Sequence, residues 1–155
     1  MSPAVRFHFP LETVLRVREL REEQARLELA RALARLEKSR QVLQDMERQL
    51  VEKLGTLHRT AAEEMEAPDY QLHADYLDHL QEAIQTWQAR LAQEEREVEE
   101  LKLKLEQLYQ ERRLLARLKE KQYAHFRREV EKVLEKEAEA GVLQRWPGRQ
   151  DSGAA

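Results

Sequence analysis

The sequence predicts an all-α fold, a long antiparallel coiled coil of two helices that forms an α-helical hairpin. Apolar residues recur at alternating steps of three and four along almost the whole chain, which is the spacing of a coiled-coil seam. This repeat is broken once, at Ala67-Pro68-Asp69. Only four glycines and four prolines occur among 155 residues, so few positions favour turns. Two long helices that meet at the break account for these observations.

Residues 1–10 are predicted to form an extended lead, because they hold two phenylalanines and two prolines and lack the helical repeat. Proline fits the first turn of a helix, so Pro10 or Leu11 is predicted to start helix one, over residues 11–66. Gly55 is its weakest interior position, and a local unwinding or bend is expected there. The seam of helix one is predicted to comprise Leu11, Leu15, Arg18, Glu22, Ala25, Leu29, Ala32, Leu36, Ser39, Leu43, Met46 and Leu50.

The turn is placed at residues 67–69, because Pro68 lacks an amide donor and clashes with the preceding helical turn. Helix two is predicted to start within a residue or two of Pro68, to occupy residues 70–140, and to stop at Gly141. Its seam is predicted to comprise Leu77, Leu80, Ile84, Trp87, Leu91, Glu94, Val98, Leu101, Leu105 and Leu108. Residues 141–155 are expected to be a flexible tail in which Trp146 is the candidate anchor.

Folding back at Pro68 places Leu36 opposite the neighbourhood of Glu99. Because helix two is the longer of the two, it is expected to have no partner within the chain beyond about His125. This overhang carries apolar residues that a lone helix would leave in water, and a partner is expected to cover them. The residues are Phe126, Val130, Val133 and Leu134.

Several classes of chemistry are excluded by residue content. The chain has no cysteine, hence no disulfide or cysteine-bound zinc. None of its five histidines lie three or four residues apart, so no helical metal site is predicted. Glycine-rich phosphate loops, HExxH motifs and nucleophile elbows are missing, and no enzymatic activity, cofactor or small-molecule ligand is expected. No apolar run approaches the roughly 20 residues that span a bilayer, and no secretory signal pattern precedes helix one, which predicts a soluble cytoplasmic protein.

The net charge of −3 conceals a gradient along the chain. Residues 1–62 carry 12 basic and 9 acidic residues, or +3, and residues 63–100 carry 2 and 12, or −10. Residues 101–140 return to +3, with 11 basic and 8 acidic residues. A fold-back at Pro68 therefore predicts an acidic turn end and a mildly basic terminal end. The acidic stretch argues against nucleic acid as a partner.

One face near the start of helix two is wider than a two-helix seam requires. Tyr76, Leu80, Ala83 and Trp87 recur at i, i+4, i+7 and i+11, which places them on one helical face. Leu80 and Trp87 are also seam positions, so packing against helix one is one interpretation of this face. Because Tyr76 and Ala83 widen the stripe, the second interpretation is a site for another protein.

Three stretches of the chain resemble the flagellar export protein FliJ family. The first is the aromatic lead with the start of helix one, from Phe7 to Arg18, followed by the Glu/Gln/Ala-rich stretch from Glu22 to Ala34. The other two lie in helix two, from Tyr76 to Ile84 and from Glu111 to Lys121. This resemblance extends over nearly the full chain and includes the two-helix layout.

Similarity to this family implies a coiled coil shaped like the rotor stalk of rotary ATPases. It implies a cytoplasmic protein, peripheral at the inner face of the cytoplasmic membrane, that inserts into the hexameric flagellar export ATPase FliI and promotes its assembly and activity. It also implies contacts with the export gate protein FlhA and with export chaperones. By the family's pattern, the gate contact falls on Tyr76, Leu80, Ala83 and Trp87.

The terminal end is predicted to enter the ATPase ring, because it combines the apolar overhang with a basic stretch of helix two. The predicted ring contacts are Arg112, Arg113, Arg117, Phe126, Val130 and Val133. Three alternatives remain open at this point. They are the corresponding stalk of an injectisome, a coiled coil that only dimerises, and a chaperone that holds export substrates without an ATPase partner.

Overall fold

Two packed α-helices form the fold of this computed structural model. Helix α1 comprises Glu12–Ala62 and helix α2 comprises Ala67–Gln144. The structure describes residues 6–63 and 65–144, and these ranges contain no β-strand. Early residues of α1 pair with late residues of α2, as in the ion pair between Arg18 and Glu111. This confirms the predicted fold class, an antiparallel two-helix coiled coil.

Helix α1 begins one residue after its predicted start. The amide of Glu12 donates to the carbonyl of Phe9 at 3.1 Å, and the amide of Leu15 donates to the carbonyl of Leu11 at 2.9 Å. Glu12 is acidic in the first turn, where the helix dipole favours negative charge. The lead before Leu11 is not helical over the described residues 6–9.

The sequence placed the turn between the helices at residues 67–69. In the structure the connection lies before these residues. Helix α1 ends at Ala62, four residues before its predicted end, and α2 begins at Ala67, so Pro68 and Asp69 belong to the first turn of α2. The amide of Tyr70 donates to the carbonyl of Glu66 at 3.1 Å. Proline is accepted here because first-turn amides have no helical acceptor, and Asp69 interacts favourably with the helix dipole.

Helix α2 continues through Gly141 to Gln144, past its predicted end. A glycine ends a helix when it adopts a left-handed conformation, and Gly141 has no positive φ. Of the predicted tail at 141–155, residues 145–155 lie outside the described residues, and the candidate anchor Trp146 is among them.

The chain divides into two compact units: the terminal unit, residues 1–20 and 109–155, and the central unit, residues 21–108. The core of the central unit is made of predicted seam residues in two clusters. One consists of Ala32, Leu36 and Val98, flanked by Leu29, Leu91 and Leu101. The other consists of Leu43, Leu80 and Ile84, flanked by Met46, Leu50, Trp87 and Leu91. Leu36 packs beside Val98, within one residue of its predicted neighbour.

A buried polar layer interrupts this seam. Ser39 Oγ donates to Glu94 Oε2 at 2.7 Å, and Arg90 Nε donates to Glu94 Oε1 at 3.0 Å. Both Ser39 and Glu94 are buried. A buried polar residue in a coiled-coil seam disfavours registers in which it loses its partner. This layer therefore stabilises the observed alignment of α1 with α2 relative to shifted alignments.

Ser39→Val is expected to lower the free energy of unfolding by about 1–2 kcal/mol, because it leaves Glu94 Oε2 buried without its donor. Urea denaturation followed by circular dichroism measures the change. In a Glu94→Leu background the same substitution should cost nothing, since no carboxylate remains to be satisfied. An equal loss in both backgrounds would contradict a role for the hydrogen bond.

Gly55 lies within α1, which is α-helical on both sides of it, so the expected unwinding does not occur. A Cβ built at this position meets no atom within 4 Å. Gly55→Ala is therefore expected to raise the free energy of unfolding by about 1 kcal/mol, through helix propensity alone. Thermal melting tests this, with Gly141→Ala near the fraying end of α2 as a control of smaller effect. A lower melting temperature for Gly55→Ala would contradict the prediction.

Candidate partner-binding surfaces

The predicted gate contacts, here called the gate face, occupy the central unit and differ in how accessible they are. Tyr76 is 47% exposed, whereas Leu80 is buried in the cluster with Leu43 and Ile84. Ala83 is half-buried. Trp87 is half-buried and packs against the same cluster. The structure therefore places Leu80 in the core of the hairpin and leaves Tyr76 as the most accessible of the four side chains.

The two aromatic residues of the gate face each lie beside a cation. The Lys53 Nζ atom is 6.0 Å from the ring centroid of Tyr76, and the Arg90 guanidinium is 4.6 Å from that of Trp87. Such contacts restrict the rings at a modest gain in energy. Because Arg90 also donates to Glu94, Trp87 is connected to the buried polar layer. Tyr76 has no comparable anchor, and its ring is the part of this face best placed to meet another protein.

The basic part of the predicted ring contact lies on α2 in the terminal unit. Arg112 and Arg113 lie over the ring of Tyr109, with centroid distances of 5.2 and 5.9 Å. Arg113 Nη1 also donates to Tyr109 Oη at 3.3 Å. Arg117 is exposed and makes no ion pair with a described residue. Tyr109 thus supports two of the three arginines, a role that its spacing of four from Arg113 would have indicated in the sequence.

The predicted apolar overhang is partly covered by the chain's own lead. Phe7 packs edge-on against Tyr123 at 5.3 Å and in a tilted arrangement against Phe126 at 5.5 Å, measured between ring centroids. Phe9 is buried. The expectation that α2 has no partner within the chain beyond about His125 is therefore wrong at Phe126. The lead reaches further along α2 than helix α1 does, because it continues the chain past the first residue of α1 and places Phe7 against Tyr123 and Phe126.

Beyond Phe126 the apolar positions become progressively accessible. Val130 is half-buried, while Val133 and Leu134 are more than half exposed. The six predicted ring contacts do not form one cluster: Arg113 and Phe126 are thirteen residues apart, or about 20 Å along a helix. They form a basic segment and an apolar segment on the same helix.

An ion pair fastens the start of α1 to α2 in the terminal unit. Lys119 Nζ lies 2.8 Å from Glu12 Oε2, and Arg16 Nε lies 3.6 Å from Glu12 Oε1. The hydrogen bond from Lys119 lowers the pKa of the Glu12 carboxyl below its ordinary value, aided by the two positive charges. Because the lowered pKa belongs to the folded state, the pair stabilises the fold above the ordinary carboxyl pKa. That contribution is lost as the pH falls through the lowered value.

Metal-ion sites and membrane-spanning helices are both missing from the part of the chain that the structure describes. No group of three or more acidic or histidine side chains in residues 6–63 and 65–144 is arranged to hold a metal ion. Within the same residues, neither helix combines the length and the apolar character that crossing a membrane requires.

Comparison with known proteins identifies the family. A family model described as Flagellar FliJ protein matches residues 7–138, which is 132 of the 155 residues. No curated protein and no solved structure matched the chain. The matched range contains residues 7–10 of the lead, all of α1 and most of α2, including every residue of the gate face and of the predicted ring contact. The chain therefore belongs to the flagellar FliJ family, whose members are non-catalytic components of flagellar protein export.

Proposed function

We propose that this protein is the stalk of the flagellar export ATPase. In this proposal its terminal unit enters the central opening of the FliI hexamer and promotes assembly of the ring and ATP turnover. The observation that carries it is the pairing, on one helix, of a basic segment containing Arg113 and Arg117 with an apolar segment at half-buried Val130 and exposed Val133. A ring lined by acidic and apolar side chains would neutralise the first segment and bury the second.

The central unit supplies the proposed link to the export gate. Tyr76 is accessible while the rest of the gate face is largely used for packing, so FlhA is proposed to contact Tyr76 and the edges of Ala83 and Trp87. Export chaperones are proposed as further partners. Contact with a membrane-embedded gate would hold the protein in the cytoplasm, peripheral to the inner face of the cytoplasmic membrane.

The experiment that tests the stalk proposal measures ATP hydrolysis and ring assembly of the FliI protein from the same organism, with and without this chain. Addition of the chain is expected to raise both ATP turnover and the hexameric fraction seen by sedimentation. An export ATPase from an injectisome serves as the specificity control. Addition of the chain should raise its ATP turnover and its hexameric fraction less than those of FliI. If neither quantity changes for the flagellar enzyme and no complex forms, the stalk proposal is wrong.

A further inference from the structure

An apolar strip on the terminal unit takes no part in the proposed ring contact or in the gate face. It consists of Leu11, Val14 and Val17 on the α1 side and Leu114 and Leu118 on α2, and is called the lateral strip below. Leu11 belongs to it because the structure leaves this predicted seam residue 37% exposed. Their exposed fractions range from 37% to 67%. Isolated exposed apolar residues are ordinary on a protein surface, so the significance of this strip depends on whether the five residues share one flank.

The coiled-coil repeat places the two halves of the strip on the same flank. Continued beyond Leu108, the alternating steps of four and three place further seam positions of α2 at 112, 115 and 119. Val14 immediately precedes the seam position Leu15, and Leu118 immediately precedes position 119, so both residues flank the seam on the same side. In an antiparallel pair these positions face each other across the helices. The ion pair between Glu12 and Lys119, at 2.8 Å, sets Val14 at about the level of Leu118.

The same flank has a different character in the central unit. There the corresponding positions are Glu28 and Lys104, which form an ion pair at 3.7 Å. Charged residues at these positions are typical of a coiled coil whose flank faces water. A valine and a leucine at the equivalent layer of the terminal unit widen the apolar stripe beyond the seam. A helix pair with such a stripe buries it by adding a third helix in the groove between the two.

The charges beside the lateral strip indicate what the third helix should carry. Arg117 and Lys121 lie next to the strip on α2, and neither forms an ion pair with a described residue. On the α1 side the neighbouring outward positions, Thr13 and Leu20, are uncharged. A complementary helix would therefore present apolar residues to the groove and carboxylates to the α2 side. A second copy of this chain would bring two further cations to the same contact, which disfavours self-association through it.

We propose that the lateral strip is a docking groove for an amphipathic helix of a partner protein, with acidic residues along its edge. The groove lies on the flank of the terminal unit and uses none of the apolar residues assigned to the ATPase ring. The groove shares Arg117 with the basic segment of the proposed ring contact, so a helix in the groove and the FliI ring would compete for that residue. The two proposals are tested separately, because peptide binding measures the groove and stimulation of FliI measures the stalk.

The test uses the full chain and a synthetic helix as the probe. The probe is a 21-residue peptide with leucine at both seam positions of each heptad and glutamate at the flanking positions, and the control peptide has lysine in place of glutamate. Fluorescence anisotropy is expected to show saturable binding of the acidic peptide and at least tenfold weaker binding of the lysine peptide. The double variant Leu114→Gln, Leu118→Gln should weaken binding of the acidic peptide at least tenfold, or about 1.4 kcal/mol.

Leu103→Gln is the matched control, because Leu103 is a leucine of α2 in the central unit whose exposed fraction, 61%, is close to the 67% of Leu114. It should leave peptide binding unchanged, and melting curves of all variants should coincide with that of the parent chain. Equal binding of both peptides, or unchanged binding by the double variant, would overturn the proposal. So would strip-dependent self-association in sedimentation, which would make a second copy the occupant. Strip-dependent binding to phosphatidylglycerol vesicles in the absence of peptide binding would likewise assign the strip to a lipid surface and overturn it.

Discussion

Leu80→Ala is expected to lower the free energy of unfolding by about 2–3 kcal/mol, because Leu80 is buried in the cluster with Leu43 and Ile84. The value lies toward the low end for a buried leucine, since a two-helix interface can relax around the cavity. Urea denaturation followed by circular dichroism at 222 nm measures the loss. A loss below about 0.5 kcal/mol would contradict the burial of Leu80, and would return this residue to the set available for a partner.

Tyr76→Ala is the matched comparison on the same face. Because Tyr76 is exposed, its truncation should change the free energy of unfolding by no more than about 0.5 kcal/mol. If the gate face binds FlhA as proposed, the same substitution should weaken binding to the cytoplasmic part of FlhA at least tenfold in calorimetric titration. An unchanged affinity together with an intact melting curve would remove Tyr76 from the gate contact. The pair of variants thus separates packing from recognition.

The seam could be predicted almost residue by residue from the sequence. Burial in a coiled coil follows from local spacing, and Leu15, Leu36, Leu77 and Val98 are buried where the repeat places them. The polar residues at predicted seam positions follow the same spacing. Glu94 is buried at its seam position, although only the structure shows that Ser39 and Arg90 satisfy its carboxylate. Periodicity predicts where a side chain points and does not predict which partner it meets.

The helix ends were harder to predict because proline and glycine each allow two outcomes. Pro68 is compatible with a turn and with the first turn of a helix, and the structure adopts the second. Gly141 ends a helix only in the left-handed conformation, and here it remains helical. At both positions the outcome depends on the neighbouring backbone, about which a single residue type carries little information.

The packing of the lead could not be read from a repeat at all. Residues 6–9 have no helical periodicity, and the contacts of Phe7 with Tyr123 and Phe126 join residues more than 110 positions apart. The aromatic residues of the lead were a signal that it packs against something. Only the alignment of α1 with α2 shows that the aromatic residues of α2 lie within its reach. The sequence analysis predicted that Phe126 contacts only a partner protein. In the structure Phe126 also packs against the lead, so it has a role in the fold.

Replacing both Val130 and Val133 with aspartate is expected to abolish binding of the chain to the FliI ring. If the stalk proposal is correct, these residues are buried against the ring, and two carboxylates there would lose apolar contact and remain poorly paired. Co-sedimentation with assembled FliI and stimulation of ATP turnover both measure the effect. Phe126 is left unchanged, because it packs against Phe7 and its replacement would disturb the lead as well.

Val51→Asp is the control for this experiment, since Val51 is an exposed valine of α1 in the central unit. The substitution is again valine to aspartate, but it lies on a surface that the stalk proposal leaves outside the ring. Binding of the chain to the FliI ring should therefore be preserved. Melting curves identify any variant whose helices are disturbed, and half-buried Val130 is the position where this matters. Full binding by a folded Val130→Asp, Val133→Asp chain would exclude the apolar segment from the ring contact. The basic segment around Arg113 and Arg117 would then be the part of α2 to reverse in charge.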